Sequence, residues 1–197
     1  MKESATSHRR AEQRRETAAR INACAQELAD RHGLDGFSME DLADAAGVSR
    51  RTLFNYFPGK DAAVLGDPLT LDPEMIDRFV DGGPSGHLVD DLVALAGPAL
   101  AAENFEREAV VRFRRLLSAE PRLVALAHQR FEDMGAALLE LVASREGAEH
   151  DAYRARVAIH VLAALFDIAL TTFMSDPTRE FPDLFDDAIG RARAAFA

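Results

Sequence analysis

Residues 50–55 bring together side chains that can hydrogen-bond to base edges in double-stranded DNA. Arg50 and Arg51 carry forked guanidinium groups that can grip guanine through two hydrogen bonds. Asn55 can grip adenine in the same bidentate way, and Thr52 can contact the methyl group of thymine. These residue types on the outer face of one helix favour an element that reads base sequence in the major groove.

A first short helix is predicted immediately before this segment. Ser38 is a candidate N-cap for a helix over Met39–Ala46, and Asp41 lies in its first turn, near the positive end of the helix dipole. Gly47 is a residue at which such a helix stops, because glycine adopts the backbone conformation that ends helices. Residues 39–47 therefore predict a short helix and the start of a turn.

A second short helix is predicted to present residues 50–55. Ser49 can cap a helix over Arg50–Phe57, and Pro58 and Gly59 close it. The connecting turn, 47–49, is three residues long, which is the length of a helix-turn-helix. Four apolar side chains are predicted to face inward and hold the two helices together: Leu42, Val48, Leu53 and Phe57.

The segment 36–62 resembles the DNA-binding signature of TetR-family transcriptional regulators, with the residues GFSMEDLADAAGVSRRTLFNYFPGKDA. The resemblance covers residues 14–65, and the rest of the chain shares only length and helical content with the family. It implies a homodimeric repressor in the cytoplasm. Its affinity for an operator would fall when a small molecule binds the C-terminal domain.

The resemblance also implies which residues contact DNA. Ser38 and Lys60 would touch phosphates, and Tyr56 stands where many members have a phosphate-binding histidine. The recognition-helix contacts would be Ser49, Arg50, Arg51, Thr52, Asn55 and Tyr56. Many members have a tyrosine whose hydroxyl reaches the DNA backbone at the position of Phe54, which cannot hydrogen-bond and is therefore predicted to lie in the core.

The chain as a whole is predicted to be all-α, because no sustained alternation of β-branched and polar residues occurs. We expect a flexible arginine-rich arm over 1–16 and a three-helix helix-turn-helix DNA-binding domain over 17–65, whose first helix ends at Gly33. A stretch rich in Gly and Pro, 66–86, marks the boundary with a helical ligand-binding and dimerisation domain over 66–197. Its helices are predicted at about 88–105, 105–119, 121–145, 149–175 and 182–196.

Charge is distributed unevenly between these regions. The formal net charge is -10. Residues 1–60 carry ten basic and nine acidic side chains, whereas the remainder carries 13 and 24. The basic excess is concentrated in the first 20 residues, where the arm includes Arg9, Arg10, Arg14 and Arg15. These arginines either solubilise a disordered tail or contact DNA, in the minor groove or at phosphates.

The segment 154–174 is apolar nearly all round, which is too adhesive for the surface of a monomer. We therefore expect it to pair with the last helix in a two-fold four-helix interface between two chains. It is read as a buried helix rather than a membrane span, because Arg156, His160 and Asp167 interrupt it. A dimer would place two recognition helices about one DNA turn apart and predicts a pseudo-palindromic operator.

A ligand pocket is expected among the middle helices, because polar groups on otherwise apolar faces need partners. The apolar lining would include Phe105, Phe113 and Phe131. The candidate polar groups are Arg112, His128, His160, Asp167 and Thr171. A lipophilic anion and a neutral aromatic compound fit this composition equally, so the effector class stays open.

Other chemistries find little support in the sequence. The single cysteine, Cys24, cannot form an internal disulfide and is expected to be a buried, unreactive thiol. The closest histidine pair, His150 and His160, is not at metal-ligand spacing, so neither a metal nor a cofactor is expected. No nucleophile motif or phosphate-binding glycine loop occurs, which argues against an enzyme.

Two alternatives to a DNA-binding regulator stay open. The acidic balance after residue 60 and the loss of a hydroxyl at Phe54 would fit a helical ligand-binding or carrier protein without specific DNA binding. A helical enzyme that uses Arg112, His128 and Asp167 in one pocket is the less favoured alternative.

Overall fold

The computed structural model of the protein describes residues 2–102 and 106–196, with the side chains of 2–8, 11, 101, 102, 149 and 196 left out. Over these residues the chain forms ten α-helices, one 3-10 turn and no strand, which confirms the predicted all-α class. The helices are α1 Lys2–His32, α2 Met39–Ala46, α3 Arg50–Tyr56, α4 Lys60–Leu65, α5 Pro73–Val80, α6 Leu88–Ala102, α7 Arg107–Ala119, α8 Pro121–Glu146, α9 Ala152–Ser175 and α10 Phe181–Phe196.

The chain divides into two compact units. The N-terminal unit comprises Met1–Pro68 and Val111–Gln129, and the C-terminal unit comprises Leu69–Val110 and Arg130–Ala197. The predicted boundary at residue 66 lies beside the first crossing, but the segment 111–129 does not join the domain predicted for 66–197. Leu116 and Leu123 explain this, because both are buried in the same core as the helix-turn-helix.

Charged pairs also hold the segment 111–129 in the N-terminal unit. The Arg115 guanidinium lies 2.6 Å from an Asp30 carboxylate oxygen, and the Arg122 guanidinium lies 2.9 Å from Asp35. Arg122 keeps the pKa of the Asp35 carboxyl below its ordinary value through this hydrogen bond. Because such partners lie some 85 positions apart along the chain, no local sequence pattern indicates them.

The predicted flexible arm is replaced by helix. Helix α1 begins at Lys2, so the backbone of 2–16 is continuous with the helix predicted from residue 17, and Met1 lies outside the described residues. Arginine, glutamate, glutamine and alanine dominate this segment, and all four favour helix. The end of α1 is as predicted, since Gly33 follows it with φ of 72°, a left-handed conformation.

The N-terminal core forms around one stripe of α1. Ala18, Ile21, Ala25 and Ala29 are at most 4% exposed and recur every three or four residues. They pack in one cluster with the buried residues Leu34, Phe37, Leu42, Ala43, Ala46, Leu53, Phe57, Ala63, Val64, Leu116 and Leu123. The side-chain amide of Asn22 donates to the carbonyls of Ala63 and Val64 at 2.7 and 2.9 Å, which satisfies the C-terminal end of α4.

Cys24 is half-buried beside this core, and its thiol lies 3.5 Å from the Ala45 carbonyl oxygen. Burial, together with the nearby charge of Glu27, raises the pKa of the Cys24 thiol above its ordinary value. The reactive thiolate is therefore disfavoured, as expected of a structural cysteine.

Helix α5 lies in the stretch predicted as a boundary and was missed because glycine and proline surround it. Asp72 caps the helix by accepting from the Glu74 backbone N–H at 2.8 Å, and Pro73 occupies the first position, where its missing N–H does no harm. Phe79 then anchors α5 in a core shared by α6, α8 and α9, with Leu88, Leu92, Leu95, Val142, Ala155 and Ile159.

A buried ion pair joins α6 to α8 in the C-terminal unit. Arg145 and Asp91 have side chains 7% and 0% exposed, and the guanidinium lies 2.5 Å from the carboxylate. Ser85 donates to the same carboxylate twice, from its backbone N–H and its hydroxyl, both at 2.7 Å. Burial acts to raise the pKa of the Asp91 carboxyl, but the bonds from Ser85 and Arg145 outweigh it and hold this pKa below its ordinary value.

The rest of the Arg145 guanidinium fixes the loop between α5 and α6. It donates to the carbonyl oxygens of Phe79, Gly82 and Gly83 at 2.6, 3.1 and 3.2 Å. It also stacks 4.8 Å from the centroid of the Phe79 ring. Four backbone and side-chain partners around one buried cation make this the main polar structure of the unit's described residues.

Candidate nucleic-acid interface

Helix α2 begins in a complete capping box. The Ser38 hydroxyl accepts from the Asp41 backbone N–H at 3.2 Å, while the Asp41 carboxylate accepts from the Ser38 backbone N–H at 2.8 Å. The hydroxyl proton of Ser38 is donated to the same carboxylate at 2.7 Å. A phosphate contact through this hydroxyl would therefore first require that proton to leave Asp41.

The turn between α2 and α3 is the predicted one. Gly47 adopts φ of 64°, the left-handed conformation that glycine takes without strain. Its backbone N–H and that of Val48 bond back to the last turn of α2, at Asp44 and Ala43. Ser49 then caps α3 by accepting from the Thr52 backbone N–H at 3.0 Å, and the two hydroxyls lie 2.8 Å apart. The helix-turn-helix geometry thus depends on local bonds.

Helix α3 has one buried face and one exposed face. Leu53 is 0% and Phe57 2% exposed, whereas Arg50, Arg51 and Asn55 are exposed. The predicted base-contacting residues thus lie together on the outer face, with Thr52 half-buried at its edge. This is the geometry that a major-groove recognition helix requires.

The prediction that Phe54 lies in the core is wrong. The residue is 44% exposed, because Leu53 and Phe57 occupy the inward positions of α3 and the next residue points about 100° away from them. The Arg50 guanidinium lies 5.6 Å from the centroid of the Phe54 ring. Phe54 therefore belongs to the outer face together with the arginines.

Arg50 carries a partner that the sequence did not indicate. Its guanidinium lies 2.5 Å from a carboxylate oxygen of Glu40 on α2, and both side chains are more than half exposed. An exposed pair of this kind stabilises by only about 0.2–1 kcal/mol. Arg50 can therefore leave Glu40 for a base at small cost, whereas Arg51 has no printed ion pair to break among the described side chains.

The two remaining predicted contacts, Lys60 and Tyr56, both have partners within the N-terminal unit. The Lys60 ammonium donates to the Phe37 carbonyl oxygen at 2.8 Å, which ties the start of α4 to the loop before α2. Two of its three protons stay available for a phosphate. The half-buried ring of Tyr56 lies 4.8 Å from the Arg14 guanidinium of α1.

The candidate ligand residues divide between the two units. Arg112, Phe113 and His128 belong to the N-terminal unit, where Arg112 lies 3.8 Å from a carboxylate oxygen of Glu27. His128 is exposed, and Phe105 lies outside the described residues. The other four, Phe131, His160, Asp167 and Thr171, belong to the C-terminal unit.

Of these four, the structure brings together Phe131 and His160. Their rings meet edge to face at 6.1 Å and line a cleft of about 280 Å³ between α8 and α9. Asp167 and Thr171 are exposed and do not line it. Within the described residues, no group of three His, Cys, Asp or Glu side chains could hold a metal ion.

A larger apolar groove lies elsewhere in the C-terminal unit. It measures about 500 Å³ and is lined by α9, α10 and the start of α6, including Val89, Val157, Val161, Leu165 and Ile189. Helix α9 is long and apolar enough to cross a membrane by length and composition, yet only 17% of its most apolar window is buried. The prediction that this helix is buried is wrong for the single chain, because Val157, Val161 and Ile168 are 46%, 42% and 55% exposed.

A capped helix-turn-helix with an exposed basic recognition face, followed by a helical C-terminal unit, defines the class of one-component DNA-binding regulators. Comparison with known proteins agrees. Residues 21–65 match the bacterial regulatory proteins of the tetR family, and residues 92–197, just over half of the chain, match the MftR C-terminal domain. The chain belongs to the TetR family of transcriptional regulators, with a C-terminal domain of the MftR type.

Two curated relatives and one solved structure resemble the chain. A protein of Mycobacterium tuberculosis named as a mycofactocin biosynthesis transcriptional regulator, MftR, is 30% identical over 68% of this chain and 67% of its own length. The HTH-type transcriptional regulator TcmR of Streptomyces glaucescens is 28% identical over 72% and 66%. A crystal structure described as a TetR-family transcriptional regulator from Mesorhizobium loti has a TM-score of 0.51, with 21% identity, and the match covers 91% of this chain and 94% of that chain. The protein is therefore a DNA-binding transcriptional regulator.

Proposed function

We propose that this regulator is a cytoplasmic repressor that binds a pseudo-palindromic operator as a homodimer and leaves it when a small molecule binds. The observation that carries the proposal is the outer face of α3. Arg50, Arg51 and Asn55 are exposed there, while Leu53 and Phe57 anchor the opposite face in the core. These three side chains supply the bidentate contacts to guanine and adenine that sequence-specific binding needs.

Selection of bound DNA tests the proposal. The purified protein is incubated with a random duplex library at two salt concentrations, and the retained DNA is sequenced. We expect a palindromic motif whose half-sites are about 10 base pairs apart, because a two-fold dimer places its recognition helices one DNA turn apart. Retention without a motif, lost at moderate salt, would instead favour a ligand carrier with non-specific affinity for DNA.

The homodimer is proposed to form through α9 and α10. The exposed valines of α9 and the apolar groove beside α10 form a continuous apolar surface on the C-terminal unit. An apolar surface of this kind on a soluble domain needs a covering partner. A second copy of the same helices, related by a two-fold axis, would cover it with a four-helix interface.

Val161→Glu is expected to convert the dimer into a monomer, because it places an unpaired charge in this apolar interface. Light scattering after size exclusion should give the monomer mass of 21.5 kDa for the variant and twice that mass for the wild type. Val124→Glu is the matched control, because Val124 is 51% exposed on α8 and lies in the N-terminal unit. A dimeric Val161→Glu variant would contradict the proposed interface.

The effector site is proposed for the cleft of Phe131 and His160. Ile159 and Leu139 supply further apolar lining, and Arg156 adds a charge at the same cleft. Such a site suits an aromatic or lipophilic ligand with one polar group. Arg112, Phe113, His128, Asp167 and Thr171 stay as predicted ligand contacts outside this cleft.

A further inference from the structure

The inward stripe of α1 continues beyond the core as arginine. Ala18, Ile21 and Ala25 face the helix-turn-helix with exposures of 4%, 0% and 0%. Because an α-helix turns about 100° per residue, positions 14 and 10 extend the same stripe by one and two turns towards the N-terminus. These positions are Arg14 and Arg10, and both are exposed.

One of these arginines is fixed against the recognition helix. The Arg14 guanidinium lies 4.8 Å from the centroid of the Tyr56 ring, and Tyr56 is the last residue of α3. Tyr56 also packs against the N-terminal core, so its ring is held in place. The arginine stripe of α1 therefore begins beside the C-terminal end of the helix that faces DNA.

The spacing of the two arginines suits a DNA strand. Arg10 lies one helical turn beyond Arg14, a step of about 6 Å along the axis of α1. Phosphates of one DNA strand follow each other at about 3.4 Å along the duplex axis, so two side chains this far apart can reach different phosphates. Arg9 and Arg15 lie on other faces of α1, about 140° and 100° from Arg14.

We propose that Arg10 and Arg14 form a rigid helical clamp on the phosphates that flank each half-site. The partner is the backbone of duplex DNA just outside the bases that α3 reads. The clamp adds affinity without base specificity, because phosphates carry no sequence information. It differs from a flexible minor-groove arm in that the helical backbone of 2–16 holds both guanidinium groups on one side.

The test compares two double variants of the full-length protein that lose the same charge. Arg10→Ala with Arg14→Ala removes the stripe, whereas Arg9→Ala with Arg15→Ala removes two arginines from the other faces of α1. Alanine favours helix at least as well as arginine, so both variants should keep the helix, which circular dichroism checks. Affinity is measured against salt concentration on duplexes selected by the wild type and on random duplexes.

The slope of log affinity against log salt should fall by about 2 per protomer for the stripe variant, because two phosphate contacts are lost. Selected and random duplexes should lose affinity by the same factor, and the control pair should leave the slope nearly unchanged. Shortening the selected duplex to the half-sites should abolish the difference from wild type. Equal slope changes for both pairs would show a diffuse charge effect and overturn the clamp, as would an unchanged slope for the stripe variant.

Two further arms separate the clamp from other outcomes. Flanks rich in A·T and flanks rich in G·C should lose affinity equally, whereas a loss confined to A·T flanks would indicate minor-groove insertion and overturn the phosphate assignment. The inference depends on DNA binding by this regulator. If the wild type retained no DNA motif, the repressor proposal would fail, whereas motif binding that the stripe variant leaves unchanged would refute the clamp alone.

Discussion

Replacing Arg145 by methionine is expected to lower the free energy of unfolding by about 3–5 kcal/mol, the cost of leaving a buried charge without its partner. Asp91 would keep its place in the core, 0% exposed, with only Ser85 and the Gly86 backbone N–H to stabilise its charge. The carbonyls of Phe79, Gly82 and Gly83 would lose their donors at the same time. Urea unfolding followed by circular dichroism measures the change.

The control for this prediction is Arg191→Met. Arg191 also pairs with an aspartate, Asp187, at 3.1 Å, but its side chain is 79% exposed. An exposed pair four residues apart on a helix contributes only about 0.3–0.5 kcal/mol, so this variant should unfold near the wild-type midpoint. Comparable losses in the two variants would show that burial does not govern the Arg145 pair.

The double variant Arg145→Met, Asp91→Leu tests the cause of the loss. Removing both charges eliminates the unpaired carboxylate, and apolar replacements of buried ion pairs are often neutral or stabilising. The double variant should therefore recover part of the stability that the single variant loses. A double variant less stable than Arg145→Met would attribute the loss to the loop contacts of the guanidinium rather than to the charge of Asp91.

The parts of the fold that were predicted correctly depend on local interactions. Helix α2 has its predicted bounds because Ser38 and Gly47 act within one turn of the residues that they cap. Helix α3 begins where Ser49 caps it for the same reason. Periodicity likewise located the inward faces at Leu42 and Leu53, since it reflects which side chains a helix places together.

The parts that were missed depend on contacts between distant segments. Asp91 and Arg145 are 54 residues apart, and neither residue type signals burial by itself. Phe54 was assigned to the core from its apolar ring, but two other residues already fill the inward face of α3. An apolar residue next to two correctly spaced inward positions is a signal that could have placed it outside.

The candidate DNA contacts were predicted as residues but not as a network. The sequence identified Arg50 and Lys60, and the structure adds the bonds that they make with Glu40 and Phe37. These partners change the expected contribution of each residue, because a side chain that leaves one partner gains only the difference. Arg51 and Arg50 therefore cannot be treated as equivalent, although both are exposed on α3.

Arg51→Ala is expected to weaken binding to the operator by about 1–3 kcal/mol per half-site, or about 5- to 150-fold, with little effect on random DNA. The guanidinium of Arg51 is exposed and has no ion pair among the described side chains, so its hydrogen bonds to guanine are gained nearly in full. Selection with the variant should relax the preference at one base pair in each half-site.

Lys60→Ala and Arg50→Ala complete the comparison. Lys60→Ala should weaken selected and random duplexes alike and reduce the salt slope by about 1, because a phosphate contact is the same at every sequence. Arg50→Ala should cost less than Arg51→Ala, since the wild type gives up the Glu40 pair, about 0.2–1 kcal/mol, when Arg50 turns to a base. If Arg51→Ala lowered affinity equally on operator and random DNA, Arg51 would be a phosphate contact, and base reading would have to come from the other exposed side chains of α3.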